Sequence, residues 1–295
     1  MRLLVILLAL VLRRQMDARG RLDPDQWQRR FMARMPGDER GAGTVYRVLF
    51  LYLALVLATA LVTWGLGGMA GGLWASLLAL LLMLLASGMP GWREPLTAYS
   101  EAWERGDMQA AWHHVSHLLP ADRRAEALAP ETLHLLLAQA LINQSFERYF
   151  LPIFWYALLG PVGLVLALGA LSLSLHYPAR SIRRLFARIV TLLAWLPSRM
   201  LSFSFAIAGD FTGWLHEQRR ERHLPGESRQ AWLLRGASGA LSSYALDPRR
   251  FEQLHPGEWP DYGRRSLWAV RDLLNRSMLV WIAVMAVLAI LGWLP

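Results

Sequence analysis

The sequence predicts an all-α protein that crosses a membrane several times, and three observations indicate this fold class. Only 18% of the 295 residues are charged and 55% are hydrophobic, whereas an ordinary soluble domain carries about a quarter charged residues. The apolar residues are gathered into long runs. Arginine-rich polar segments, typical of cytoplasmic loops, separate those runs. We predict a polytopic helical protein with about four to five spans and cytoplasmic helical segments.

The first segment, residues 1–44, should combine a short apolar helix with a polar cytoplasmic stretch. Residues 3–12 are apolar and are followed by two arginines. Ten residues make about 15 Å of helix, which is too short for a bilayer that needs about 20 residues. A cleaved signal peptide is the alternative, but no small-x-small cleavage site follows. We expect an uncleaved helix that packs against the membrane or enters it in part.

Residues 45–91 are predicted to form a transmembrane helical hairpin. Its two arms, 48–66 and 73–89, are uncharged and are separated by paired glycines. Residues 92–148 then read as a cytoplasmic helical region. Here Asp107 follows a glycine and should cap the next helix, and Pro130 suits a first helical turn.

Residues 149–209 are predicted to be a broken membrane-spanning region. The run 149–175 is interrupted at Gly160-Pro161, and four arginines separate it from the run 189–208. Two full spans would place those arginines outside, against the positive-inside rule. A hairpin folded at Gly160 would keep them inside, but each arm would be too short to span. We favour two full spans, and the sequence leaves the hairpin open.

A cytoplasmic basic region over 210–277 and a C-terminal transmembrane helix over 278–295 complete the chain. The basic region holds eleven arginines and the stretch 15–44 holds six. The bias of arginine toward cytoplasmic loops places both on the cytoplasmic side. The net charge of +9 is therefore explained by topology. Since the basic residues form no interleaved basic-aromatic pattern, we expect no nucleic acid as a partner.

Four polar residues form the candidate ligand site. Arg199 lies inside an apolar run close to Pro197, where an arginine is costly unless it faces protein, water or headgroups. Asn143, Gln144 and Glu147 immediately precede the next membrane entry and are its proposed partners, with a Glu147–Arg199 ion pair at the centre. The alternatives are an arginine that snorkels to the interface and ordinary helix-end hydrogen bonding for the other three.

A metal site is not expected. His113 and His117 are spaced one helical turn apart and could offer two zinc ligands, but no third ligand is evident. Exposed or interface histidines are the simpler interpretation. The chain has no cysteine, so thiolate ligands and disulfides are excluded. We expect no catalytic residues of a known motif and no cofactor.

Four short stretches in order, Ala102–Asp107, Leu119–Asp122, Pro152–Tyr156 and Ala194–Arg199, resemble the CobD/CbiB superfamily of membrane proteins. Within that superfamily the chain is most similar to the AmpE family. This resemblance implies an inner-membrane regulatory or sensor protein, linked to peptidoglycan recycling and β-lactamase induction. Its implied partners are the lipid bilayer and a cell-wall-recycling amidase or a muropeptide-related ligand.

The resemblance also implies two alternatives, an amide-forming enzyme of cobalamin biosynthesis with an altered substrate and a transporter accessory protein. The enzymes carry acidic residues where this chain has Gln139, Asn143 and Ser174. Carboxylates are what an amide-forming enzyme that uses a nucleotide with Mg²⁺ would need for metal binding and proton transfer. Their replacement by neutral groups argues against an enzyme of this type.

Overall fold

The computed structural model describes residues 1–18, 24–34, 42–67, 73–88, 92–119, 123–124, 129–220, 228–242 and 245–292. Every regular element among these residues is helical, which confirms the predicted all-α class. The helices are α1 (Arg2–Ala18), α2 (Pro24–Met32), α3 (Ala42–Gly67), α4 (Leu73–Ala86), α5 (Arg93–Glu104), α6 (Met108–Val115), α7 (Pro130–Ser145), α8 (Leu151–Leu159), α9 (Pro161–His176), α10 (Arg180–Ala208), α11 (Phe211–Arg220), α12 (Arg229–Ala240), α13 (Pro248–Leu254) and α14 (Trp259–Ile290).

Within the described residues, three helices are long and apolar enough to cross a membrane, fewer than the predicted four to five. They are α3, α10 and the last helix, α14. The second arm of the predicted hairpin is α4, which has 14 residues and a length of about 21 Å, short of a hydrocarbon core of about 30 Å. The paired glycines that were expected to join the arms lie almost entirely outside the described residues.

The run 149–175 does not form one continuous helix, which agrees with the predicted interruption at Gly160; whether it crosses the membrane stays a prediction. A π-helical turn over 146–150 leads from α7 into α8. Gly160 then adopts a positive φ of 64°, which a glycine tolerates without strain, and α9 begins at the next residue. A Cβ on Gly163 would lie 2.1 Å from the Trp155 carbonyl oxygen. That close approach shows α8 and α9 folded back on each other, as in the hairpin alternative.

The chain divides into two compact units. The first comprises residues 1–90, 147–197 and 283–295. Its core contains Tyr52, whose hydroxyl donates to the Leu166 carbonyl at 2.6 Å and whose ring meets Phe186 edge-on. The remaining core residues come mainly from α9 and the start of α10.

A buried arginine ties α1 to its neighbours in the first unit. Arg13 is 1% exposed, forms an ion pair with Asp17 and donates to the Leu84 carbonyl at the end of α4. Tyr149 donates to the other oxygen of the Asp17 carboxylate at 2.8 Å. Gly88 packs directly against the Arg13 guanidinium with a φ of 110°, so no larger residue fits there. The short apolar helix at the N-terminus is therefore a packed element of this unit.

The second unit comprises residues 91–146 and 198–282. The predicted helix boundaries in its first half are confirmed, since the Asp107 carboxylate accepts from the Ala110 amide and α7 begins at Pro130. The last helix starts at Trp259, well before the predicted boundary at 278. Ion pairs one turn apart, such as Arg276 with Asp272, suit a helix in that polar stretch.

Candidate functional site

The candidate site is built at a close crossing of α10 and α12 in the second unit. Ser202 on α10 is fully buried, and a Cβ on Gly236 of α12 would lie 2.4 Å from its hydroxyl oxygen. The indole of Trp214 on α11 donates to that same oxygen at 3.1 Å. Because Gly236 has no side chain, α10 and α12 can approach each other closely. This crossing determines which residues one turn away on the two helices lie opposite each other.

Arg199 lies one turn before Ser202, and Trp232 lies one turn before Gly236. The crossing places the Arg199 guanidinium over the Trp232 ring, 4.7 Å from the ring centroid. A second guanidinium, that of Arg235, lies 5.2 Å from the same centroid. Cation–π contacts of this kind stabilise each arginine by about 0.5–1 kcal/mol at exposed sites. We call Arg199, Arg229, Trp232 and Arg235 the arginine cluster.

Arg229 connects the arginine cluster to α7. Its Nη2 donates to the Asn143 side-chain oxygen at 3.1 Å, and its guanidinium lies 5.2 Å from the centroid of the Phe146 ring. Asn143 therefore contacts Arg229 on α12, and its predicted contact with Arg199 stays a prediction.

The other predicted partners are placed as follows. Gln144 is half-buried at the end of α7, and Glu147 is half-buried in the π-helical turn that follows. Glu147 belongs to the first unit and Arg199 to the second, so the Glu147–Arg199 ion pair stays a prediction. Pro197 does not break the helix, because α10 continues through it. A proline removes one backbone hydrogen bond, a loss that membrane helices tolerate.

The sequence analysis missed Arg229, Trp232 and Arg235. Their spacing of three residues was the available signal, since residues three apart are neighbours on a helix surface. Without the Ser202–Gly236 crossing, however, nothing in the sequence brings that helix to Arg199. The three residues were assigned only to a general basic region.

A second polar centre of this unit, also missed, surrounds His134 on α7. The imidazole is fully buried; Nδ1 lies 2.9 Å from the Tyr99 hydroxyl and Nε2 lies 2.7 Å from the Ser266 hydroxyl. Ser266 also donates to the Tyr262 carbonyl. Its single proton is thereby used, so Nε2 carries the histidine proton and Nδ1 accepts from Tyr99.

Aromatic rings enclose His134. The rings of Trp103 and Tyr262 lie 5.5 and 4.8 Å from the imidazole, centroid to centroid, and a Cβ on Gly263 would lie within 2.7 Å of the Trp103 indole. Burial lowers the pKa of His134 to about 3. The histidine is therefore neutral at physiological pH and acts as a fixed connector among α5, α7 and α14.

The histidines considered for zinc lie on a separate part of this unit. His113 is exposed on α6, and His117 is exposed in a short 3-10 helix that follows. In the part of the chain that the structure describes, no group of three or more metal-binding side chains occurs.

A comparison with protein families bears on this architecture. The family model described as "Regulatory signalling modulator protein AmpE" matches residues 1–216. The chain belongs to the AmpE family. Comparisons with curated proteins and with solved structures found no match. The match to AmpE includes Arg199, Asn143 and His134, whereas Trp232 and its neighbouring arginines lie beyond it.

Proposed function

We propose that this AmpE-family chain is a regulatory protein of the bacterial inner membrane that modulates β-lactamase induction and is linked to peptidoglycan recycling. The match of residues 1–216 to a family of regulatory signalling modulators carries the proposal. Three candidate membrane-spanning helices support the membrane location. The eleven arginines of residues 210–277 favour a cytoplasmic position for that region. A cell-wall-recycling amidase or a muropeptide-related ligand is the proposed source of the signal.

The test is deletion of the gene from the bacterium that carries it, followed by measurement of β-lactamase activity before and after exposure to a β-lactam. We expect the ratio of induced to basal activity to change and to be restored by the gene supplied in trans. A constitutive reporter enzyme controls for general effects on expression. An unchanged ratio across several β-lactams would refute the regulatory role.

The cobalamin-type enzyme is the alternative from another class, and the neutral side chains at its acidic positions argue against it. Gln139 stands at one of the positions where the enzymes carry an acid, and its side-chain oxygen accepts from Arg123 at 3.3 Å. Ser174 donates to the Leu171 carbonyl of its own helix. Both neutral side chains are thus engaged in hydrogen bonds within the protein. Expression in a strain without the synthase should not restore cobalamin-dependent growth, and rescue would establish the enzyme.

A further inference from the structure

The arginine cluster borders an exposed apolar patch. Met200 and Phe203 on α10, Ile207 near its end and Phe211 at the start of α11 are 40%, 50%, 54% and 50% exposed. Phe203 and Phe211 also contact the Trp214 ring. Contiguous apolar surface of this kind marks a site of contact with lipid or with another apolar partner. In a chain with three candidate spans, we take lipid as the occupant.

Arg199 lies on the same face of α10 as this patch. It is four residues before Phe203, which places both on one helix face, and it is itself exposed. An arginine that faces the hydrocarbon interior costs about 2.5–3.5 kcal/mol or more, whereas one at headgroup level can bind phosphate. Its stacking on Trp232 also favours the interface, where tryptophan is enriched.

The charge of the arginine cluster suits an anion. Three guanidiniums lie around one indole and one phenylalanine ring. Glu217 on α11 also faces α12, since its Cβ lies 3.1 Å from the position of a Cβ on Gly239. The three arginines and this one carboxylate together carry a net positive charge. A guanidinium that stacks on an aromatic face keeps its N–H donors in its own plane, in the fork that matches phosphate oxygens.

We propose that Arg199 and Arg235, stacked on Trp232, bind the phosphate of an anionic phospholipid whose acyl chains lie along the Met200–Phe211 patch. The patch selects an amphiphile over a soluble anion, and the arginines select a net negative headgroup over a zwitterionic one. This site is independent of the proposed role in β-lactamase induction.

The experiment uses the full chain purified in detergent. Thermal stabilisation by phosphatidylglycerol gives an apparent Kd, and native mass spectrometry counts the retained lipids. We expect Arg199→Gln to weaken binding about tenfold, because one charge-assisted contact is lost. Arg249→Gln is the charge-matched control, since Arg249 is exposed on α13 and paired with Glu131. An equal loss of lipid affinity in Arg249→Gln would show that any surface arginine attracts the anionic lipid, and this would overturn the site.

Two further arms identify the ligand class. Phosphatidylcholine should bind at least about tenfold more weakly than phosphatidylglycerol, and equal binding would overturn the requirement for an anion. Inorganic phosphate at millimolar concentration should not compete. Competition would assign the cluster to a soluble anion and overturn the lipid. The melting temperature in zwitterionic lipid reports whether each variant folds, and Trp232→Phe, which keeps a ring, gives a second variant that should weaken binding.

Discussion

Replacement of His134 by phenylalanine tests whether the buried histidine connects α5, α7 and α14. A phenylalanine fills a similar volume but can neither accept from Tyr99 nor donate to Ser266. The Ser266 hydroxyl keeps its bond to the Tyr262 carbonyl, so its loss is limited to about 1 kcal/mol. The Tyr99 hydroxyl, in a side chain with no exposed surface, is left without its histidine partner at a cost of about 1–3 kcal/mol. We therefore expect a total destabilisation of about 2–4 kcal/mol.

A double-mutant cycle separates these hydrogen bonds from general packing. Tyr99→Phe alone leaves the Nδ1 acceptor unsatisfied, whereas Tyr99→Phe combined with His134→Phe removes both partners together. Removal of both partners of a buried hydrogen bond can be nearly neutral. The double variant should therefore be more stable than the sum of the single effects predicts, by about 0.5–3 kcal/mol. Denaturant unfolding in detergent, followed by tryptophan fluorescence, measures the free energies.

Additive effects of the two substitutions would refute the hydrogen-bonded connector. The control is His113→Phe, because His113 is exposed on α6 and surface substitutions change stability by less than about 0.5 kcal/mol. A comparable loss in that variant would mean that the assay reports a general effect of removing a histidine.

The same residue predicts how stability depends on pH. Burial lowers the pKa of His134 from 6.5 to about 3, so between these values the unfolded chain binds a proton that the folded chain does not. The contribution of the neutral His134 to the free energy of unfolding is fully present above pH 6.5. It is lost as the pH falls toward 3, and the free energy of unfolding then changes by up to about 1.4 kcal/mol per pH unit. The ionisable neighbours are the phenols of Tyr99 and Tyr262, and burial raises the pKa of Tyr99. This dependence of the free energy of unfolding on pH should be absent in His134→Phe. If it persists in that variant, another ionisable group causes it.

Two further predictions concern the hairpin and the topology. Gly163→Ala should destabilise the protein by about 1–3 kcal/mol or more, because the new Cβ would lie 2.1 Å from a backbone oxygen. The control is Gly65→Ala, whose new Cβ would meet no atom within 4 Å. Equal thermal stability of the two variants would contradict the fold-back of α8 and α9. Because the chain has no cysteine, single cysteines at His117 and Glu252 can report sidedness. Both should be protected from an impermeant thiol reagent in intact cells, and labelling of either would contradict its cytoplasmic position. A cysteine at Arg184 then reports the side of the α9–α10 connection.

The sequence predicted those features that depend on local chemistry. The cap at Asp107 and the start of α7 at Pro130 follow from side-chain and ring geometry that acts within one turn. Apolar runs likewise located the long helices. Their ends were harder to predict, because hydropathy alone placed a boundary at 278 whereas the helix begins at Trp259.

The features that the sequence could not predict depend on contacts between distant segments. His134 meets Ser266 across 132 residues, and Arg229 meets Asn143 across 86. An isolated histidine in an apolar helix is consistent with a core residue, a ligand or an interface, and only the packed helices decide among these. The interruption at Gly160 was foreseen, but the close approach of Gly163 to Trp155 depends on how α8 packs against α9.

Those long-range contacts also constrain the topology of the broken region. Asn143 and Arg229 touch, so with both outside the hydrocarbon core the chain between them crosses the bilayer an even number of times. The helices described between them are α8, α9, α10 and α11, and of these only α10 has the length and hydropathy of a span. A crossing by α10 would need a second crossing by α9, whose 16 residues reach only about 24 Å. Such a pair of crossings would also place the arginines at 180–188 on the other side of the membrane from the basic region. With no crossing between them, the arginines at 180–188 and the basic region would lie on one side, as the positive-inside rule favours, and the apolar patch of α10 would lie in the interface. The cysteine at Arg184 tests this arrangement: it should be protected from the impermeant reagent in intact cells, and labelling there would contradict it.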